Sequence, residues 1–414
     1  MDKEMQGDKP PFPFVLIAVV VMVALAGGFG VYSYLSSPSK PATPSASVGT
    51  KPAGGAMTRA DGVWSSARAL PAFDGTSFAM MSSPTGGEPV SFAFQKSSGR
   101  LHVLRANAKG RWDWAALPGT FATMPNVVRV RGSEVTYVGA GRDGRIMLYQ
   151  AGEKGEPALE LALGGPEGAK SAGAVLATDG DTLRVMAGRP GEAMQLTTLS
   201  LRKKKAEAWV PDNGKAEQYG PALRYNNEVF VFARSANGTI LGKRLTPGTT
   251  RDWFNFHLSV HANVNAVGEP SVGSDGKSFA MGAWMTVDRR VFVARVQMSP
   301  EFNYATTIVE DKVTAAPILC HLEAENRWVV FHGGETTVRA TEFEQRGWTR
   351  TETFDAFDGQ APLACASTKS GKLAIMYRNG DGLFSRTFGA KVDATAQAGE
   401  GEDNRDLASE SNKK

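Results

Sequence analysis

One strand pattern returns along the whole chain. A short strand, often opened by proline, leads to an apolar-alternating strand, a glycine-containing turn, a third strand and an aromatic-bearing fourth. The first strands can be set at Thr76, Pro125, Ala172, Pro221, Pro270, Pro317 and Pro362, starts that lie 45 to 49 residues apart. A four-stranded unit with that period cannot bury both faces alone, but a ring of such units can. The repeat therefore predicts an all-β, seven-bladed β-propeller of four-stranded antiparallel blades over residues 61–390.

The second strands carry the clearest signal: VSFAFQK, EVTYVGAG, TLRVMAGR, EVFVFARS, SFAMGAWM, RWVVFHGG and KLAIMYRN. Val, Phe, Met and Tyr dominate them, as expected of a strand packed between neighbouring sheets. Glycine-bearing hairpin turns follow at Ser97–Gly99, Arg142–Gly144, Ala236–Gly238 and Gly380–Gly382.

Fourth strands follow the first six blades: RWDWAALP, PALELALGG, AEAWVPD, DWFNFHLSV, YATTIVED and WTRTETFD. The seventh blade ends at LFSRTFG without one. VWSSARALP, Val63 to Pro71, shares the aromatic start and Leu-Pro finish of RWDWAALP and stands unpaired just before blade one. It is expected to complete the last blade and remove the open edge.

Residues outside this body read differently. After a flank at 1–13, Phe14 to Leu35 carries no charge over 22 residues, enough for a helix across about 30 Å of hydrocarbon. Tyr32 and Tyr34 sit where an interfacial belt would be. A cleaved signal peptide is the competing reading, because Ala24-Leu25-Ala26 before Gly27 fits a small-residue cleavage site. The anchor is favoured: the flank is not clearly basic and the apolar run continues past that site. Residues 36–60 are rich in Pro, Ser, Ala and Gly and read as a disordered tether, and 391–414 as a polar, disordered tail.

The 46 basic residues nearly balance the 42 acidic ones, which gives no nucleic-acid footprint. Two cysteines cannot supply a disulfide framework. Cys320 and Cys365 hold the same place in consecutive blades, three residues after Pro317 and Pro362. A cross-blade disulfide is open to them, but strands around a channel are often too far apart, and two free thiols are the favoured reading.

SFAFQKSSGRLHVLRANAKGRWDWAALPG (Ser91 to Gly119) and FVFARSANGTILGKRL followed by DWFNF (Phe230 to Phe256) resemble the blades of seven-bladed bacterial fucose-binding lectins. The shared elements are an apolar strand ending in Arg, a polar-Gly turn and a Trp-bearing outer strand, and the likeness lies in blades one and four. The resemblance implies a non-catalytic, glycan-binding module.

Trp64, Trp112, Trp114, Trp253 and Trp348 sit in outer strands. They serve either to stack on a sugar or to pack one blade on the next, and packing is favoured. Trp112, Trp114 and Trp253, with Arg142 and Asp143 of the RDG turn, are the candidate ligand-binding residues. His257 and His261 are four apart but fall on a strand and its following loop, and His321 and His332 are isolated, so no metal site is expected. Arg202 to Lys205 reads as a solvated turn. Arg105, Arg131, Arg184 and Arg295 share no motif, so no catalytic residue and no cofactor is assigned. The expectation is a single-pass protein of a bacterial inner membrane, with its propeller in the periplasm or outside the cell. Its expected partners are the bilayer, through Phe14 to Leu35, and a glycan. The alternatives are a protein-interaction scaffold of the envelope and, less favoured, a sialidase-type glycosidase.

Overall fold

The computed structural model describes residues 62–390 apart from 76, 83–88, 107–110, 131–134, 152–156, 226–227, 246–253, 256–264, 298–302, 311, 323–325, 345–349 and 368–371. The expected membrane span, tether and tail therefore lie outside the described residues, as do Thr76, Arg131, Trp253, His257, His261 and Trp348. Among the described residues no helix is long and apolar enough to cross a membrane.

The strands form seven antiparallel sheets in chain order, covering 77–116, 126–164, 171–215, 218–255, 266–310, 315–358 and 361–390. These are blades one to seven. Contacts between blades run through their first strands, which places those strands innermost. The turn glycines Gly99, Gly144, Gly238 and Gly380 have φ of 71°, 80°, 87° and 56°, the left-handed region that glycine enters without a Cβ clash.

Each seam between blades holds its own apolar cluster, so the core is seven slabs rather than one mass. Alternate residues of one strand face opposite seams. Leu183 and Val185 pack toward blade two, whereas Met186 packs toward blade four. A strand used on both faces reads as a near-continuous apolar run, which explains the second strands.

Pro125 directly precedes its first strand, Asn126–Arg129, as expected, whereas Pro221, Pro270, Pro317 and Pro362 lie inside theirs. Register shifts fall between Tyr219 and Ala222, Val267 and Ser271, and Ala315 and Ile318, bracketing Pro221, Pro270 and Pro317; another separates Pro362 from Ala364. Proline cannot donate to the ladder, so it is held at a bulge and the strand begins a few residues earlier.

Side chains stitch neighbouring inner strands together. Ala174 N donates to Asn126 Oδ1 at 2.9 Å, Leu319 N to Ser271 Oγ at 2.9 Å, and Ser367 Oγ to the His321 carbonyl at 2.8 Å. Cys320 and Cys365 make the corresponding link covalently. Their Cα atoms are 5.9 Å apart and they are joined as a disulfide. This corrects the expectation of free thiols: the first strands of blades six and seven approach within disulfide range.

Val63 to Pro71 closes the ring. Gly62–Trp64 pairs antiparallel with the last strand, Gly382–Ala390, setting Trp64 opposite Phe388; Arg68–Ala69 pairs with the same strand, setting Arg68 opposite Ser385. The outer strand of blade three, expected as one piece, is split into Lys205–Ala206 and Val210–Lys215, both paired with Ala193–Ser200.

Candidate functional site

Among the described residues, clefts open at the seam between blades three and four and at that between blades seven and one. At the seam between blades three and four, Arg184 of the strand Thr182–Gly188 lies opposite Thr198 of Ala193–Ser200. Both share a face with Met186 and Leu196, which are packed against Val229, Leu241 and Leu245 of blade four. Beside that cluster is a cleft of about 370 Å³, part of it open solvent, lined by Arg184, Thr198, Glu207, Val210, Val229 and Leu245.

Arg184 Nε is enclosed and makes no hydrogen bond among the described residues. Glu207 is fixed by its backbone: its N–H donates to the Thr198 carbonyl and its carbonyl accepts from Thr197 Oγ1, both at 2.8 Å. At the same seam an ion pair joins the two blades, Lys243 Nζ to Asp212 Oδ2 at 2.9 Å, with both side chains almost wholly buried. On the adjoining turn, hydrogen bonds from Thr182, then Asp181, hold the Asp179 carboxyl below its usual range, with a smaller contribution from the charge of Arg184. The cleft thus offers guanidinium donors, a hydroxyl and a carboxylate acceptor over an apolar wall. Vicinal hydroxyls are complementary to such a set.

The second cleft, about 410 Å³ with open solvent included, lies between blades seven and one. Its place in the repeat is the same. Ala374 lies opposite Thr387 as Arg184 lies opposite Thr198, and Ser385 lies opposite Arg68 as Leu196 lies opposite Val210. Arg68, Ser91, Leu104, Trp112, Ser385 and Thr387 line it, and Arg68 Cζ lies 4.3 Å from the centroid of the Trp112 ring.

The candidate residues separate accordingly. Trp112 is in the second cleft and remains 36% exposed. Trp114 packs at the same seam, donating its indole N–H to the Pro71 carbonyl at 3.0 Å with Phe73 at 5.1 Å; Trp209 does the equivalent to Leu163 at 2.9 Å. Arg142 donates to the Lys96 and Ser97 carbonyls at 2.9 and 2.7 Å and so holds the hairpin turn of blade one. Asp143 accepts from Arg145 N at 3.1 Å within its own turn. Arg105 and Arg295 stand on different blades, His321 stacks on Trp328 at 4.3 Å, and His332 is fully buried. Among the described residues no three metal-ligating side chains gather. Arg68 and Glu207 are not candidates on sequence grounds, because only strand register brings them into the clefts.

No protein-family model matches the chain and no curated protein does. Solved structures do. The BP39L lectin from Burkholderia pseudomallei aligns with a TM-score of 0.54 at 14% identity, over 77% of this chain and 96% of its own. Virginiamycin B lyase from Staphylococcus aureus aligns with a TM-score of 0.52 at 11% identity, over 79% and 99%. At these identities the likeness shows the fold, a seven-bladed β-propeller shared by a lectin and a lyase.

Proposed function

We propose that this propeller is a non-catalytic, lectin-like binding module that takes saccharides in clefts between its blades. The observation that carries the reading is the register equivalence of the clefts: the pairs Arg184–Thr198 and Ala374–Thr387 hold the same place in blades three and seven. A repeated fold that presents a pocket at one seam presents it again where the sequence allows. In the first cleft, Arg184 donates to a ring hydroxyl and Glu207 accepts from its neighbour, with Val210 and Leu245 against the apolar edge of the sugar. The fold likeness to BP39L lectin supports the same reading.

The localisation proposed is outside the cytoplasm, with Phe14 to Leu35 as the tether to the bilayer. The Cys320–Cys365 bond supports it, since such bonds persist in oxidising compartments.

A glycan array probed with wild-type protein and with Arg184→Gln tests the reading. Binding of a defined set of saccharides, with neutral members lost in the variant, is expected. An array on which nothing binds, or on which the variant binds the same set equally, would count against it.

A further inference from the structure

The two equivalent clefts differ in chemistry. Between blades three and four a carboxylate, Glu207, shares the cleft with Arg184, and among the described residues no aromatic ring lines it. Between blades seven and one no carboxylate lines the cleft among the described residues: the polar side chains there are Arg68, Arg386 and the hydroxyls of Ser91, Ser385 and Thr387, beside the exposed indole of Trp112.

Arg68 carries the argument. Its guanidinium lies over the Trp112 ring, 4.3 Å from the centroid, and no carboxylate pairs with it among the described residues. Cation–π contact engages the flat face of a guanidinium and leaves the in-plane N–H donors available. Those donors match the two oxygens of a carboxylate. With two guanidinium groups, Arg68 and Arg386, and no acidic side chain among the described residues that line the cleft, the local field favours an anion, and the outer part of Trp112 offers a surface for the carbon skeleton bearing it.

Resting on the saccharide reading above, we infer that the cleft between blades seven and one selects a carboxylate-bearing sugar, a uronic acid residue, with Arg68 as its partner. The two clefts then divide the work: hydroxyls are read at Arg184 and Glu207, a carboxylate at Arg68 and Trp112. The site exists only because the N-terminal strand completes blade seven, since Arg68 belongs to that strand.

The test is calorimetric titration of the full-length chain with trigalacturonic acid and with its methyl ester. The acid is expected to bind at least tenfold more tightly than the ester, and its binding to weaken as salt rises. Arg68→Gln should lose tenfold or more in affinity for the acid, while Arg68→Lys, which keeps charge without the planar fork, falls between. Arg145→Gln removes an equal charge from an exposed turn of blade two and should bind the acid as wild type does. Equal binding of acid and ester, undiminished binding by Arg68→Gln, or no binding of the acid would each overturn the inference. The first comparison uses wild-type protein alone and is indifferent to how the variants fold. If array binding still depends on Arg184, a negative result here removes only this inference; a blank array removes the broader reading.

Discussion

Trp64 lies opposite Phe388 across the first and last strands of the propeller, their ring centroids 5.3 Å apart. The same indole meets Phe357 at 4.8 Å and Phe331 at 6.1 Å, both on blade six. The closing strand thus fills two seams: Trp64 packs at the seam between blades six and seven, and Leu70 at the seam between seven and one. The latter cluster has only four buried members among the described residues, against ten or more at every other seam, so closure there leans on the strand itself.

Removing that strand should destabilise the whole ring. A protein of residues 73–390 is expected to unfold well below one of 61–390, and Trp64→Ala alone should cost about 3 kcal/mol. Thermal unfolding of the three proteins checks this, and coincident midpoints would contradict it.

The Cys320–Cys365 bond closes a separation of 45 residues. By chain entropy such a link contributes about 4 kcal/mol, on the order of 5 °C for a domain of this size. Reductant should lower the midpoint by that amount and should leave the double variant Cys320→Ala/Cys365→Ala unchanged. Thiol labelling of unreduced, denatured protein should find neither cysteine.

Lys243 and Asp212 test how the first cleft is held. Lys243→Ala strands a buried carboxylate and should cost about 3–5 kcal/mol, whereas Lys243→Met with Asp212→Leu should be close to neutral in stability. A double-mutant cycle by denaturant unfolding separates the two cases. A near-neutral single variant would show that the pair is not buried as described.

His102 supplies a pH dependence. Burial near Phe73, 5.0 Å between ring centroids, holds its imidazole below the ordinary value of 6.5, and the charge of Arg100 adds to the shift against a backbone hydrogen bond that opposes it. The folded state therefore takes up this proton less readily than the unfolded chain. The contribution is complete above about 6.5 and is lost as pH falls through the folded value. His102→Gln should flatten that part of the stability profile, and an unchanged slope would contradict it.

The blades were legible because a strand buried on both faces writes its burial directly into the sequence, as in EVFVFARS. The closing strand was legible because VWSSARALP repeats the pattern of RWDWAALP. The bulges at Pro221, Pro270 and Pro317 were not: a proline marks a break in the ladder, and the ladder can break inside a strand as well as at its start. Cys320 and Cys365 stood at matching positions, but the distance between neighbouring inner strands is a property of the ring. Trp112, whose ring makes it a candidate from sequence, lies in a cleft. Trp114, two residues on, carries the same ring and serves packing, because its indole N–H is taken by Pro71. Arg184 and Glu207, 23 residues apart in the chain, meet only once register is set.

The most direct measurement is a crystal structure of residues 61–390 soaked with a saccharide that the array identifies. Density for the sugar between blades three and four, with hydrogen bonds to Arg184 and Glu207, or between blades seven and one against Arg68 and Trp112, is the expected result. Density confined to the mouth of the central channel, with both clefts empty, would contradict binding between blades.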